Sequence, residues 1–352
     1  MRKYNWATTD TPPQPLPRQC TQTARLHSLD VLKCIAALLV VCIHVGPNIL
    51  SPLTRCAVPI FFIITGYYYP MMRDNGNFWH HIRKLLKMAL FANVLYGICE
   101  LWVELSNGDV NEWLFDTFQL SRLVRLALAD DSLFGLHLWY LWAVLYDLLI
   151  FYYTDKFKAT EYIRAAAPIL FAILCITNFT QYYPLTRNFL FMGIPCMIVG
   201  RSIQEGNDKK FSFLNIKCHT WPVVGILLFL VLLEMTLLRV VTCNGFGNRN
   251  MCAFTLPLVT VIFYWALSHP RYGHDSWIAT IGRKYSADIY VFHIFIHFLV
   301  GRFFVINETS HLRLYASMLV YVLVIFLATL LFSIFYERCI AKVLRLPYKS
   351  QA

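Results

Sequence analysis

Charged residues are scarce in this sequence. Only 14% of its 352 residues are Asp, Glu, Lys or Arg, whereas soluble domains carry about 25%. Apolar residues make up 58% of the chain and lie in long runs separated by short polar loops. Because a membrane-spanning helix needs about 20 mostly apolar residues, the composition disfavours a soluble fold and predicts one membrane-embedded unit.

Signatures of metal binding and of secretion are also missing. The 11 cysteines form no CxxC pair or zinc-like spacing, and most lie inside apolar runs, which indicates core packing. A disulfide stays open only for Cys243 and Cys252, at a predicted outer loop. Residues 1–27 lack the apolar core and cleavage site of a signal peptide and contain the run Pro12 to Pro17. We interpret them as a flexible cytoplasmic tail.

Hydropathy predicts an all-α bundle of about ten transmembrane helices. The predicted spans lie near residues 30–49, 54–72, 85–105, 136–154, 165–181, 188–204, 221–241, 250–268, 285–305 and 314–336. The connection at about 106–135 has the pattern of an amphipathic helix on the membrane surface and is equally compatible with a cover over an acceptor site. Residues 339–352 form a basic tail.

The basic residues predict the orientation of the bundle. With the N-terminus in the cytoplasm, 22 of the 31 Lys and Arg residues fall on the inner side and 8 on the outer side. Because cytoplasmic loops carry the excess of Lys and Arg, we expect both termini in the cytoplasm. The net charge of +11 is then a topology signal, which argues against a nucleic-acid partner.

Three ionisable residues lie in the first predicted helix, where an ionisable side chain costs about 2.5 to 3.5 kcal/mol and indicates a functional site. At 100° per residue, Asp30, Lys33 and His44 fall on one face within about 60°. Lys33 and His44 are about 16 Å apart along the helix. The spacing predicts a polar stripe that faces a cavity, with His44 suited to general-base chemistry. An interhelix hydrogen bond for His44 and a surface-reaching Lys33 stay open.

Other polar candidates carry weaker signals. His293 and His297 lie four residues apart, but no third ligand completes a metal site. His137 begins a run with Trp139 and Tyr140 that is typical of an aromatic belt at the membrane interface. A basic run in the predicted inner loop, with Arg83, Lys84 and Lys87, suits either the phosphates of a donor such as coenzyme A or anionic lipid.

Five blocks in order along the chain resemble the membrane acyltransferase 3 family. They are Leu29–Ala37 with Val40–His44, then Arg55 with Val58–Tyr67, then the basic run from His81 to Lys87, then Leu138–Leu141, and finally Ile281–His293. The resemblance covers residues 28–338. Lys33 stands where the family usually has Arg, and Thr65 stands where Ser is usual.

The resemblance implies transfer of an acetyl or other short acyl group from acyl-CoA to a hydroxyl of a cell-surface or lipid-linked carbohydrate. It assigns the catalytic role to His44 with Asp30 and Lys33, and donor binding to Arg83, Lys84 and Lys87. It further implies that six residues line the substrate cavity, namely Arg55, Thr65, Trp139, Ser286, Tyr290 and His293. Acetyl-CoA is then the co-substrate, no metal is required, and the protein is a multi-pass protein of the cell membrane.

A transporter of a small polar solute or of a lipid-linked sugar is the alternative, because the same intramembrane polar residues suit it. The sequence shows no convincing inverted repeat to support it. Dependence on an acyl-CoA donor separates the two functions. The acceptor, the choice between acetyl and succinyl, and the choice between direct transfer and an acyl-enzyme stay open.

Overall fold

The computed structural model describes residues 25–177, 186–206, 216–242, 251–304, 306 and 310–340. Within these ranges the chain folds into α-helices joined by short turns, and no β-strand occurs there. Numbered in chain order, the helices are α1 (His27–Val45), α2 (Ser51–Thr54), α3 (Ala57–Asp74), α4 (Phe78–Asn107), α5 (Val110–Thr117), α6 (Leu120–Ala129), α7 (Trp139–Lys156), α8 (Thr160–Thr177), α9 (Ile194–Gln204), α10 (Ile216–Thr242), α11 (Thr255–Ser268), α12 (Trp277–Val300) and α13 (His311–Phe335).

Eight helical segments in the described residues are long and apolar enough to cross a membrane. They are His27–Val45, Asn48–Asp74, Phe78–Asn107, Leu136–Lys156, Thr160–Thr177, Thr220–Val241, Trp277–Phe303 and His311–Cys339. Two shorter apolar segments, Phe189–Gln204 and Thr255–Ser268, coincide with the remaining predicted spans. The prediction of a helical multi-pass membrane protein is confirmed, with eight rather than ten segments of full spanning length.

Large apolar side chains cover the outside of the bundle. One face of α4 consists of Leu90, Val94, Ile98, Trp102 and Leu105, each of which is at least half exposed. These residues recur at three- and four-residue spacing, so they form one stripe along the helix. An exposed apolar stripe of this length is expected where the solvent is lipid.

Glycine allows close helix contacts at two places in the bundle. A Cβ atom at Gly66 of α3 would overlap the backbone of Met197 in α9, and one at Gly200 of α9 would overlap the backbone of Ile63. Gly282 of α12 lies in the same way against the carbonyl oxygen of Asp30 in α1. Small residues are what lets transmembrane helices approach so closely. Gly282 therefore determines the packing of α1 against α12.

The helices α1 and α12 run parallel. Asp30 of α1 lies against Gly282 of α12, and 14 residues later the ring of His44 lies 5.0 Å from that of His293. The second contact lies further along both helices, 14 residues on in α1 and 11 residues on in α12, so the two chain directions agree. Parallel packing brings the C-terminal halves of both helices to the same side of the bundle, which is where the candidate site lies.

An ion-pair network joins α3, α7 and α9 at the opposite end of the bundle. Asp155 accepts hydrogen bonds from Tyr69 (2.8 Å) and from Arg201 (2.7 Å), and it also forms an ion pair with Arg73. Arg201 is buried and donates a second bond to Glu205 (2.8 Å). Every charge in the network has a partner of opposite sign, as buried charges require.

The two short apolar segments contact both ends of the bundle. The backbone N–H of Phe189 bonds to Asp130, in the connection that precedes α7, whereas Arg201 bonds to Asp155 at the end of α7. Likewise, Glu234 accepts from the backbone just before α11, and the carbonyl of Ala266 at its other end accepts from Ser28 in α1. Each segment therefore makes polar contacts near both of its own ends.

The connection 106–135 contains two short helices rather than one. α5 and α6 leave apolar side chains such as Phe115, Leu120 and Leu128 more than 70% exposed. Such a surface matches the predicted amphipathic segment at a membrane interface. The remaining predictions for the tails concern residues 1–24 and 341–352, which lie outside the described residues, as does Cys243. The predicted tail 1–27 overlaps α1 by one residue, because the helix begins at His27.

Candidate active site

A partly open cavity lies beside the C-terminal half of α1. Val40 and Ile43 of α1 line it together with His44. The polar and aromatic side chains of its wall are His44, Arg55, His137, Trp139, Arg187 and Tyr290. They come from four separate parts of the chain, so only the folded bundle brings them together.

Three histidines meet at this cavity, and we call His44, His137 and His293 the histidine cluster. Their ring centroids are 5.0 Å (His44 to His293), 5.3 Å (His137 to His293) and 6.1 Å (His44 to His137) apart. His44 is exposed to the cavity, His137 is buried in the cavity wall, and His293 is buried behind it. His44 is therefore the member that a bound molecule reaches first.

Backbone contacts fix the tautomer of His293. Its Nδ1 lies 2.8 Å from the carbonyl oxygen of Tyr290 and 3.1 Å from that of Ile289. Because a carbonyl only accepts hydrogen bonds, Nδ1 carries the hydrogen and Nε2 carries a lone pair. The Nε2 atoms of His293 and His137 are both buried without a hydrogen-bond partner in the structure. The cluster thus offers unused hydrogen-bonding capacity beside His44.

Tyrosines hold the cluster in place. Tyr96 packs edge-on against the His137 ring at 4.6 Å, and its hydroxyl donates to the carbonyl of Val291 (2.7 Å) in α12. The hydroxyl of Tyr290 donates to the carbonyl of His137. The Tyr290 bond joins the short 3₁₀ turn Leu136–Leu138 to α12, and the Tyr96 bond joins α4 to α12. They fix the height of His137 relative to His293.

Asp30 and Lys33 lie far from the cavity. Asp30 accepts from Arg25 (2.8 Å) and forms an ion pair with Lys33 (3.4 Å), whose ammonium lies 5.5 Å from the ring centre of Tyr68. Fourteen residues of helix place Asp30 about 21 Å from His44. The charged end of the predicted polar stripe is therefore separated from the cavity at His44 by most of the length of α1. The catalytic roles of Asp30 and Lys33 stay predictions.

The basic run forms the start of a helix rather than a loop. α4 begins at Phe78, and Arg83, Lys84 and Lys87 lie in its first three turns. Arg83 and Lys87 are exposed, and Nε of Arg83 donates to the carbonyl of Trp79 (3.2 Å). We call Arg83, Lys84 and Lys87 the basic cluster. Lys87 lies three residues after Lys84 and four after Arg83, so its charge is close to both of theirs on the helix surface.

The other predicted cavity residues divide into two groups. Arg55, Trp139 and Tyr290 line the cavity directly. Thr65 lies deeper on α3 and donates to the carbonyl of Phe61 (2.8 Å). Ser286 is buried on α12, about 10 Å along the helix from His293 and outside the cavity wall.

Two residues of the site did not emerge from the sequence. His137 looked like part of an aromatic belt, and Arg187 lies in a connection with no motif around it. Arg187 precedes Asn188, whose side chain accepts from the N–H of Phe191 (2.8 Å) and caps the π-helical turn Phe189–Gly193. This cap fixes the backbone next to Arg187 at the cavity wall. In the described part of the chain, no three His, Cys, Asp or Glu side chains have the arrangement of a metal site.

Comparisons with known proteins identify the family of the chain. The acyltransferase 3 family model, described as an acyltransferase domain, matches residues 26–338. The chain is also similar to a serine/alanine racemase of Enterococcus gallinarum, with 25% identity over 273 residues that cover 67% of this chain and 36% of the racemase. The chain thus spans about a third of that relative. No solved structure matches. With nearly its whole length matched, the chain belongs to the acyltransferase 3 family of membrane proteins.

Proposed function

We propose that this protein transfers an acetyl or other short acyl group from acyl-CoA to a hydroxyl of a cell-surface or lipid-linked carbohydrate. The observation that carries the proposal is His44, an imidazole exposed to an internal cavity of a chain that belongs to the acyltransferase 3 family. An imidazole beside a bound hydroxyl is suited to act as its general base in acyl transfer.

In this mechanism His44 is the general base. Its ring nitrogen takes the proton of the acceptor hydroxyl while the hydroxyl oxygen attacks the thioester carbonyl. The C–S bond then breaks, and the proton passes from the imidazolium to the leaving thiolate. Attack by His44 itself, with an acyl-imidazole intermediate, uses the same side chain.

The donor approaches from the cytoplasm. The basic cluster lies at the start of α4, next to the end of α3 that carries the Arg73–Asp155 ion pair. Cations closely spaced on a helix are suited to the phosphates of coenzyme A. Asp30 and Lys33 lie at the same end as Ser28, and we place them on the route of the acyl group towards His44.

The proposed topology has ten crossings and two cytoplasmic termini. The contacts of Phe189–Gln204 and Thr255–Ser268 with both ends of the bundle support counting each as a crossing. The parallel packing of α1 and α12 agrees with their positions as first and ninth crossings. The distribution of Lys and Arg then favours a cytoplasmic N-terminus in the cell membrane.

Isotope exchange tests the proposal without knowledge of the acceptor. Purified protein in lipid nanodiscs is given acyl-CoA and labelled free CoA, in parallel with acetyl-CoA and succinyl-CoA. Label appearing in acyl-CoA indicates an acyl-enzyme, and acid-quenched protein then carries the acyl group on His44. Direct transfer gives no exchange but releases CoA once extracted carbohydrate is added. We expect His44→Ala to abolish either signal and His311→Ala, at the exposed start of α13, to preserve it. CoA release at the same rate from His44→Ala would contradict the mechanism.

A further inference from the structure

Two arginines share the cavity with the histidine cluster. Arg55 follows the last residue of α2, and Arg187 precedes the π-helical turn before α9. Both line the cavity, and both act electrostatically on His44. Two guanidinium groups from distant parts of the sequence therefore line the same cavity.

The described wall of the cavity contains no Asp or Glu side chain. The buried carboxyl of Asp130 acts on Arg187 from outside the wall, and burial raises the pKa of Asp130 to about 9. Asp130 is thus protonated at neutral pH and supplies no negative charge to the cavity. Because a cleft lined by positive charge attracts anions, the cavity is complementary to a negatively charged ligand.

Arginine is also specific in the ligands it selects. Its planar guanidinium donates two parallel hydrogen bonds to a carboxylate or a phosphate. The same wall contains the aromatic rings of Trp139 and Tyr290, whose amphipathic faces suit the C–H face of a sugar ring. The arginines, the aromatic rings and the general base together are suited to binding a negatively charged carbohydrate.

We propose that the acyl acceptor carries an anionic group, a carboxylate or a phosphate, which Arg55 and Arg187 bind so that the neighbouring hydroxyl reaches His44. This inference rests on the proposed function. The donor's own phosphates are assigned to the basic cluster, near the other end of the bundle. The two arginines are positioning residues, since they hold the acceptor and exchange no proton with it.

Binding measured without turnover tests this proposal. The protein in nanodiscs is titrated by calorimetry with methyl β-D-glucuronide, with sn-glycerol 3-phosphate and with the uncharged methyl β-D-glucoside. We expect at least one charged probe to bind about 10- to 100-fold more tightly than the glucoside. Arg55→Gln and Arg187→Gln should each remove most of that preference. Arg122→Gln, the same charge change on α6, should preserve it.

The two charged probes separate a carboxylate from a phosphate acceptor. Binding of both charged probes no tighter than that of the glucoside, or no binding of either charged probe, would overturn the proposal. So would loss of the preference in Arg122→Gln. Arg55→Lys keeps the charge without the planar fork, and we expect it to retain part of the preference, which shows that the cavity is still folded.

The alternative to an anionic acceptor is a negative charge on the transferred acyl group. If the anion belongs to a succinyl group, Arg55→Gln and Arg187→Gln will slow transfer from succinyl-CoA and leave transfer from acetyl-CoA unchanged, and the assignment to the acceptor is then wrong. We expect both donors to be slowed alike. Failure of all acyl transfer together with arginine-dependent binding of the charged probes would reject the enzymatic function while supporting the anion site.

Discussion

Alanine at Gly282 should force α12 away from α1. The added Cβ would overlap the carbonyl oxygen of Asp30 and lie 2.7 Å from the backbone nitrogen of Cys34. Restoring an ordinary contact of ~3.5 Å at Cys34 alone requires the helices to separate by roughly 0.8 Å, and the closer overlap with Asp30 requires more. Overpacking of this kind costs about 1–3 kcal/mol, against a gain of about 1 kcal/mol in helix propensity. The expected net result is a destabilisation of up to about 2 kcal/mol.

The same displacement should reach the histidine cluster, because α12 carries His293 and α1 carries His44. A shift of about 1 Å in reacting groups costs about 100-fold in rate, so we expect acyl transfer to fall roughly 10- to 100-fold. Thermal melting in detergent and donor turnover measure the two effects. Gly225→Ala is the matched control, since a Cβ at this exposed position of α10 meets nothing within 4 Å. It should be neutral or stabilising. Equal melting temperatures and rates for both variants would refute the packing argument.

Three further outcomes follow from the structure. Arg201→Met leaves Asp155 without the more buried of its two arginine partners, which costs about 3–5 kcal/mol, so the melting temperature of this variant should fall well below that of Arg73→Met; equal values would argue against the network. Asp130→Asn should remove a pH dependence: burial raises the pKa of Asp130 from 3.8 to about 9, so the wild type loses stability as pH rises between these values. The Asn variant keeps the acceptor for Phe189 and should melt with a flatter pH profile; an unchanged profile would contradict a protonated carboxyl. Neutralising the basic cluster should raise the KM for acyl-CoA about 10-fold at low salt and leave melting unchanged, whereas an unaltered KM would place donor binding elsewhere.

Much of the architecture was predictable because each span depends on local composition. The apolar runs coincide with the helices of the structure, and the predicted run at 188–204 matches Phe189–Gln204 despite its short length. The pairing of Asp30 with Lys33 also follows from local geometry, since residues three apart share a helix face. Such features need no knowledge of neighbouring helices.

The composition of the site was harder to predict because it depends on which helices pack together. His44 was identifiable as a polar residue within an apolar helix. His137 lies 93 residues further along the chain, among aromatic residues that favoured a different interpretation, and Arg187 lies outside any span. Helical periodicity gives the face of a residue but not the element that the face contacts. The close approach of α1 and α12 at Gly282, which sets this pairing, is visible only in the fold.

Transfer of radiolabelled acetyl from acetyl-CoA to extractable carbohydrate, in membranes of the native host, tests the role of His44 most directly. Membranes with the intact protein are compared with membranes containing His44→Ala at the same level, and His311→Ala serves as control. Because a general base contributes about 10²- to 10⁴-fold, we predict label in carbohydrate with the intact protein and the control, and a loss of at least 100-fold with His44→Ala. Full transfer by the His44→Ala protein would contradict the account.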